Sequence, residues 1–147
     1  MAEYRAAVGD TADPNIKAAA LWGLARAQYA DDRYTDAVAT VDQLNTDFPT
    51  SPYGAASNFI KGQSYAALKR YDDAAAAYQA YLSARPGFLD SYVLQLRGDA
   101  LTNAGNYTDA LSAYASAQAA QHLDDAQALK IKIAQTHARL GDFASAL

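Results

Sequence analysis

Arg70-Tyr71-Asp72-Asp73-Ala74-Ala75-Ala76-Ala77-Tyr78 decides the fold, because versions of it recur at Tyr34-Thr35-Asp36-Ala37, Tyr107-Thr108-Asp109-Ala110 and Phe143-Ala144-Ser145-Ala146. The aromatic residue that opens each copy steps from 34 to 71, 107 and 143, a spacing of 37, 36 and 36. Fixed periods in this range mark stacked units, each of which buries its apolar face only against its neighbours. The 147 residues therefore count repeats within one domain, 1–147. The expected segmentation is the end of a preceding helix at 2–8, repeat 1 at 14–50, repeat 2 at 51–86, repeat 3 at 87–122 and a shortened repeat 4 at 123–147. On that count the chain is expected to be a fragment of a longer array.

Working outward, each copy sits at the start of a helix that follows another. Residues 2 to 8 read as a helix end, with Tyr4 and Val8 four apart on one face, and Gly9 to Asp13 as a turn. Asp13-Pro14 then opens a helix well, with Asp as N-cap and Pro at the first helical position, where its missing N–H is harmless. That helix is expected to run to about Tyr29 and the next from Tyr34 to about Asn45. The second pair is expected over 53–68 and 71–84, the third over 88–103 and 107–120, and a further first helix over 124–140. All four prolines, at 14, 49, 52 and 86, fall at these boundaries. An interior helix proline destabilises by about 3 kcal/mol, so their placement supports the segmentation.

Composition narrows the function classes. Hydrophobic residues make up 51% of the chain, alanine foremost, which favours an all-helical fold with closely approaching helices. Charged residues, at 19%, are too few for a disordered chain. A net charge of -4 without a Lys/Arg cluster argues against nucleic acid as a partner. Cysteine is absent, which excludes disulfides and thiolate metal sites. No apolar run approaches the roughly 20 residues of a membrane span, and Met1-Ala2-Glu3-Tyr4-Arg5 lacks the basic-then-apolar pattern of a signal peptide. No phosphate-binding loop, nucleophile elbow or zinc helix motif occurs, and the Asp residues read as single and exposed rather than paired in a pocket. Neither a cofactor nor catalysis by this chain is expected.

Aligning the copies brings Ala25, Gly62, Gly98 and Ala134 into one register, and Ala37, Ala74, Ala110 and Ala146 into a second that follows 12 residues later each time. Small residues at both places let the two helices of a pair cross closely; a larger side chain there would overpack by about 1–3 kcal/mol. These registers, with an aromatic before the second and a proline near the unit's end, resemble the tetratricopeptide repeats over nearly the whole chain. The resemblance implies an all-α, right-handed superhelical solenoid of antiparallel helix pairs that binds a protein or peptide. Two departures stand out: Lys61 and Arg97 occupy positions where the family usually has leucine, and the period exceeds the usual 34 residues, the excess lying in the links between units.

In the family the first helix of each unit lines the concave groove. Carrying that register over implicates Trp22, Arg26 and Tyr29, then Phe59 and Gln63, then Tyr92, Gln95, Asp99 and Asn103, then Lys132, Gln135 and Arg139 as groove residues. Aromatic side chains beside Arg, Asn and Gln suit a peptide or a glycan, whereas the bland alternative packs Trp22 and Phe59 against a neighbouring unit. The family's grip on a C-terminal carboxylate by Lys, Asn and Arg does not transfer, since Trp22, Arg26, Ile60, Tyr92 and Leu96 stand in its five positions.

A narrower similarity joins Tyr81-Leu82-Ser83-Ala84-Arg85-Pro86-Gly87-Phe88-Leu89-Asp90-Ser91-Tyr92-Val93 and Arg97-Gly98-Asp99-Ala100-Leu101 to the helical arm of bacterial soluble lytic transglycosylases. Phe48-Pro49-Thr50-Ser51-Pro52-Tyr53 is similar to links in bacterial envelope repeat proteins. These imply a periplasmic or envelope location, and an arm that shapes access to peptidoglycan for a catalytic domain outside this chain. His137 shares the register of Gln28, Tyr65 and Leu101 and reads as a packing residue; His122 beside Asp124 and Asp125 is too sparse to define a metal site. Asp72 and Asp73 suit a helix start, where the dipole favours carboxylates. Phe143 and Leu147 form an apolar C-terminal edge through which self-association is expected.

Overall fold

A computed structural model describes residues 1–10, 12–85, 87, 89–120, 126–142 and 145–146. They form α1 (Ala2–Asp10), α2 (Pro14–Ala30), α3 (Tyr34–Asp47), α4 (Tyr53–Ala67), α5 (Tyr71–Ala84), α6 (Asp90–Ala104), α7 (Tyr107–Ala119) and α8 (Ala126–Leu140), with no strand among the described residues. The chain divides into two compact units, Met1–Tyr81 and Leu82–Leu147. The all-α fold of antiparallel helix pairs is as the periodicity predicts. Some boundaries differ. The expected turn from Gly9 is helical through Asp10, and α3 runs to Asp47 rather than to about Asn45. Phe88, where the first helix of the third pair is expected to begin, lies outside the described residues. His122, Asp124, Asp125, Phe143 and Leu147 lie outside the described residues.

Local chemistry explains the helix starts. Asp13 accepts a hydrogen bond from the Asn15 N–H at 2.8 Å, and Pro14 takes the first helical position. Ser51 accepts from the Tyr53 N–H at 3.3 Å ahead of α4. Arg70 reaches Asp73 at 2.7 Å across the first turn of α5, and Arg33 makes the equivalent pair with Asp36 in α3.

The helix ends repeat more strictly than the sequence does. The N–H of Arg33, Arg70, Asn106 and Asp142 donates to the carbonyl of Gln28, Tyr65, Leu101 and His137 at 2.9, 2.9, 2.9 and 3.0 Å. This is the six-to-one closure of a helix by a left-handed residue. That residue is Asp32 at φ 58°, Lys69 at φ 59°, Gly105 at φ 86° and Gly141 at φ 86°. All four hold a conformation that glycine adopts freely, and at Asp32 and Lys69 it strains the side chain.

Each unit has its own core. In the first, Leu21, Leu24, Ala25, Ala37, Val41 and Leu44 bury the α2/α3 crossing, and the Thr40 hydroxyl donates to Gln28 Oε1 at 2.7 Å within it. Tyr4 lies 37 positions before Val41, and a methyl built on Gly23 would come within 2.8 Å of its ring, so α1 packs on α2 as a second helix of the repeat would. Gly62 opens α4 to Tyr78 of α5 in the same way, at 2.6 Å, and Phe59 fills in beside it, 6.2 and 5.7 Å from the rings of Tyr78 and Tyr81. Lys61, at a position expected to be apolar, keeps its ammonium 2.5 Å from Asp42 and lies over the Tyr65 ring. In the second unit Val93, Ala100, Leu101, Ala110, Ala113, Tyr114, Ala117 and Leu129 are buried among α6, α7 and α8.

Candidate functional site

The second unit carries a polar cavity of about 290 Å³, lined from α6 by Asp99, Thr102 and Asn103, from α7 by Tyr114, and from α8 by Lys132, Gln135, Thr136 and Arg139. Helical spacing builds it. Asp99, Thr102 and Asn103 share one face of α6, while Lys132, Gln135, Thr136 and Arg139 recur along one face of α8. Tyr114 reaches the cavity from beneath because Gly98 has no side chain: a methyl there would overlap the tyrosine ring. The backbone approach that the small register permits thus delivers a phenol into the cavity floor.

Asp99 is the hub. Its Oδ1 accepts from the Tyr114 hydroxyl at 2.8 Å and its Oδ2 from the Lys132 ammonium at 2.7 Å. Its side chain is 35% exposed and both oxygens are engaged, so it is less open than the sequence pattern of the Asp residues suggests. Thr102 stands 3.3 Å from the Tyr114 hydroxyl and 3.4 Å from Thr136, whose own hydroxyl donates to the Lys132 carbonyl at 2.7 Å. Burial pushes the Tyr114 phenol well above its ordinary range; the Asp99 bond and charge push the same way, against opposing contributions from Thr102 and Arg139. The phenol is a neutral donor. Lys132 is neutralised by Asp99, whereas among the described residues no carboxylate pairs with Arg139.

The structure thus brings together Asp99, Asn103, Lys132, Gln135 and Arg139 of the predicted set. Tyr92 and Gln95 lie on α6 outside the cavity lining, Tyr92 exposed and Gln95 half-buried. In the first unit Trp22 stacks on Tyr53 with centroids 5.2 Å apart, and the Arg26 guanidinium lies 4.7 Å above its ring, while the indole Nε1 is buried without a partner among the described residues. Tyr29 packs against Tyr34 at 5.6 Å. Phe59 meets Tyr78 and Tyr81 of its own repeat rather than a neighbouring one, and Gln63 is half-buried. His137 Nδ1 lies 3.2 Å from Asp142 Oδ2 without hydrogen-bond alignment. Tyr114, Thr102 and Thr136 were not singled out from the sequence. The 16-residue step from Gly98 to Tyr114, repeated from Gly62 to Tyr78, is the signal that could have found the phenol.

The tetratricopeptide repeat profile matches residues 2–52, 47–87 and 96–147, almost the whole chain. The chain belongs to the tetratricopeptide repeat family. Its repeats carry the helix pairs, small registers and hairpin closures described above. Solved structures agree on the fold. MamA from Desulfovibrio magneticus RS-1 superposes with a TM-score of 0.73 at 19% identity, covering 91% of this chain and 70% of that one. MamA from strain MSR-1 gives 0.76 at 18% identity over 99% of this chain and 82% of that one, and MamA from strain AMB-1 gives 0.76 at 19% over 99% and 78%. At such identities the likeness concerns the fold alone. No curated protein matches the sequence. Among the described residues no helix of this tetratricopeptide repeat chain is long and apolar enough to cross a membrane.

Proposed function

We propose that this chain is a non-catalytic repeat scaffold that binds a protein partner through the polar cavity between α6 and α8. The family supports protein binding in general. The observation that carries the assignment to this place is the cluster of Asp99, Asn103, Lys132, Gln135 and Arg139 on the facing sides of the two first helices, held by the Asp99 hub. Such groups offer donors and acceptors to a backbone laid across them. No pair of carboxylates faces a common space there, which suits recognition rather than hydrolysis.

Displaying a random peptide library against the immobilised chain tests this. Peptides should be enriched, and exchanging Asn103 and Gln135 for Ala together should weaken them by roughly tenfold, as truncating central contacts does. Enrichment indifferent to that double change would place recognition elsewhere, and the Trp22, Arg26 and Tyr53 stack would be next to examine. The alternative, an arm that shapes murein access for a catalytic domain in an exported bacterial protein, is supported by the sequence similarity at Tyr81–Leu101. It predicts that muropeptides bind in calorimetry where library peptides do not.

A further inference from the structure

The charge of the cavity is uneven in a way that selects its ligand. Helix α8 carries Lys130, Lys132 and Arg139 and no Asp or Glu, in a chain whose net charge is -4. Lys132 and Arg139 are seven residues apart, two turns along one face, and both line the cavity. Among the described residues the lysine has a carboxylate partner and the arginine has none. Arg139 stands beyond it with Asn103 and Gln135 nearby on the lining, and it is the cavity's uncompensated charge.

From this the geometry points to selectivity for an internal acidic segment of the partner: a side-chain carboxylate pairs with the Arg139 guanidinium and takes further donors from Asn103 and Gln135. Asp99 is then the residue that sets the threshold, because its bond to Lys132 withholds the second cation from the ligand. A guanidinium suits this part, since it offers a carboxylate two parallel donors and is always charged. An internal segment is favoured over a free C-terminus because Trp22, Arg26, Ile60, Tyr92 and Leu96 stand in the five positions with which the family grips a C-terminal carboxylate. This rests on the scaffold function proposed above and deepens it.

The test uses a capped peptide with glutamates spaced in a Ser/Ala frame, its glutamine counterpart, and a glutamine peptide with a free C-terminal carboxylate. Each is titrated into the full chain by calorimetry at low and physiological salt. The capped acidic peptide should bind at least about tenfold more tightly than either other peptide, and more weakly as salt rises. Arg139→Ala should remove roughly that tenfold, and Arg139→Lys should recover part of it. Asp99→Asn should do the reverse and tighten the acidic peptide several-fold, because Lys132 is released while Asn still accepts from Tyr114. A role for Asp99 confined to holding the fold would not tighten binding.

Equal binding of the capped acidic and glutamine peptides, or loss of acidic-peptide binding on Asp99→Asn, overturns the proposal. Preference for the free C-terminus overturns the choice of an internal segment. If neutral library peptides bind in an Asn103- and Gln135-dependent manner while acidic ones gain nothing, the scaffold function stands and acid selectivity falls. If neither class binds at millimolar concentration, both fall.

Discussion

The α2/α3 pair and the α6/α7 pair hold the same repeat positions with opposite choices of side-chain size and polarity. At the close-crossing register the first has Ala25 and Val41, both fully buried, where the other has Gly98 and Tyr114. One register further along, the first buries a Gln28–Thr40 hydrogen bond, where the other has Leu101 and Ala113. Removing a methyl from one helix thus makes room for a ring on the next. The ring brings a hydroxyl that emerges at Asp99, so the polar group that α2/α3 keeps inside its core is carried by α6/α7 to its cavity.

The sharpest way to break this comparison is to put the first pair's residues into the other. Gly98→Ala should destabilise by about 2–3 kcal/mol, because the added methyl meets the Tyr114 ring within 2.6 Å. Adding Tyr114→Val should recover at least about 1 kcal/mol of the sum of the two single effects, measured as coupling in urea denaturation. Additive single effects would show that the two positions do not compensate.

The buried pair gives a smaller change. Thr40→Val should destabilise by about 1–2 kcal/mol, since it leaves Gln28 Oε1 buried without its donor. The double change Gln28→Leu with Thr40→Ala, which copies Leu101 and Ala113, should be milder than Thr40→Val alone. Smaller again is Lys69→Gly, expected to stabilise by up to about 1 kcal/mol because the native φ is positive, while Gly105→Ala at the equivalent place should destabilise by a similar amount.

At neutral pH the least visible difference is the phenol. Tyr114 has a raised folded pKa, so the folded state holds its proton more tightly than the unfolded chain does. Stability from this group is fully present below about pH 10, the ordinary tyrosine value, and is lost as pH rises through the folded value. Tyr114→Phe should therefore show a shallower fall of stability above about pH 10 in alkaline denaturation. An unchanged slope would remove the link between burial of the ring and its titration.

Much of the fold was legible because it rests on period and punctuation. The aromatic series, the two small registers and the four prolines place the helix pairs without reference to anything distant. What was missed has local causes. Gly9 reads as a turn, yet helix continues through it to Asp10. Asp32 and Lys69 conceal a left-handed position that Gly105 and Gly141 announce, since strain at a single residue leaves no mark on pattern. For the cavity, the face of each first helix could be read from its register, which brought in Asp99, Asn103, Lys132, Gln135 and Arg139. Tyr114 escaped because it sits on a second helix, where an aromatic at helical spacing reads as core. It is core along its ring and cavity at its hydroxyl.

The hairpin closure at Gln28, Tyr65, Leu101 and His137 bears on how quickly the chain can find its structure. Each bond joins residues five apart in sequence, and α2, α4 and α6 are each followed at once by the helix they pack against. Loop-closure entropy is then small for every pair, contact order is low, and each hairpin can form before distant segments meet. Folding that begins at any hairpin and spreads to its neighbour is the kinetic counterpart of a sequence written in units of 36 and 37 residues.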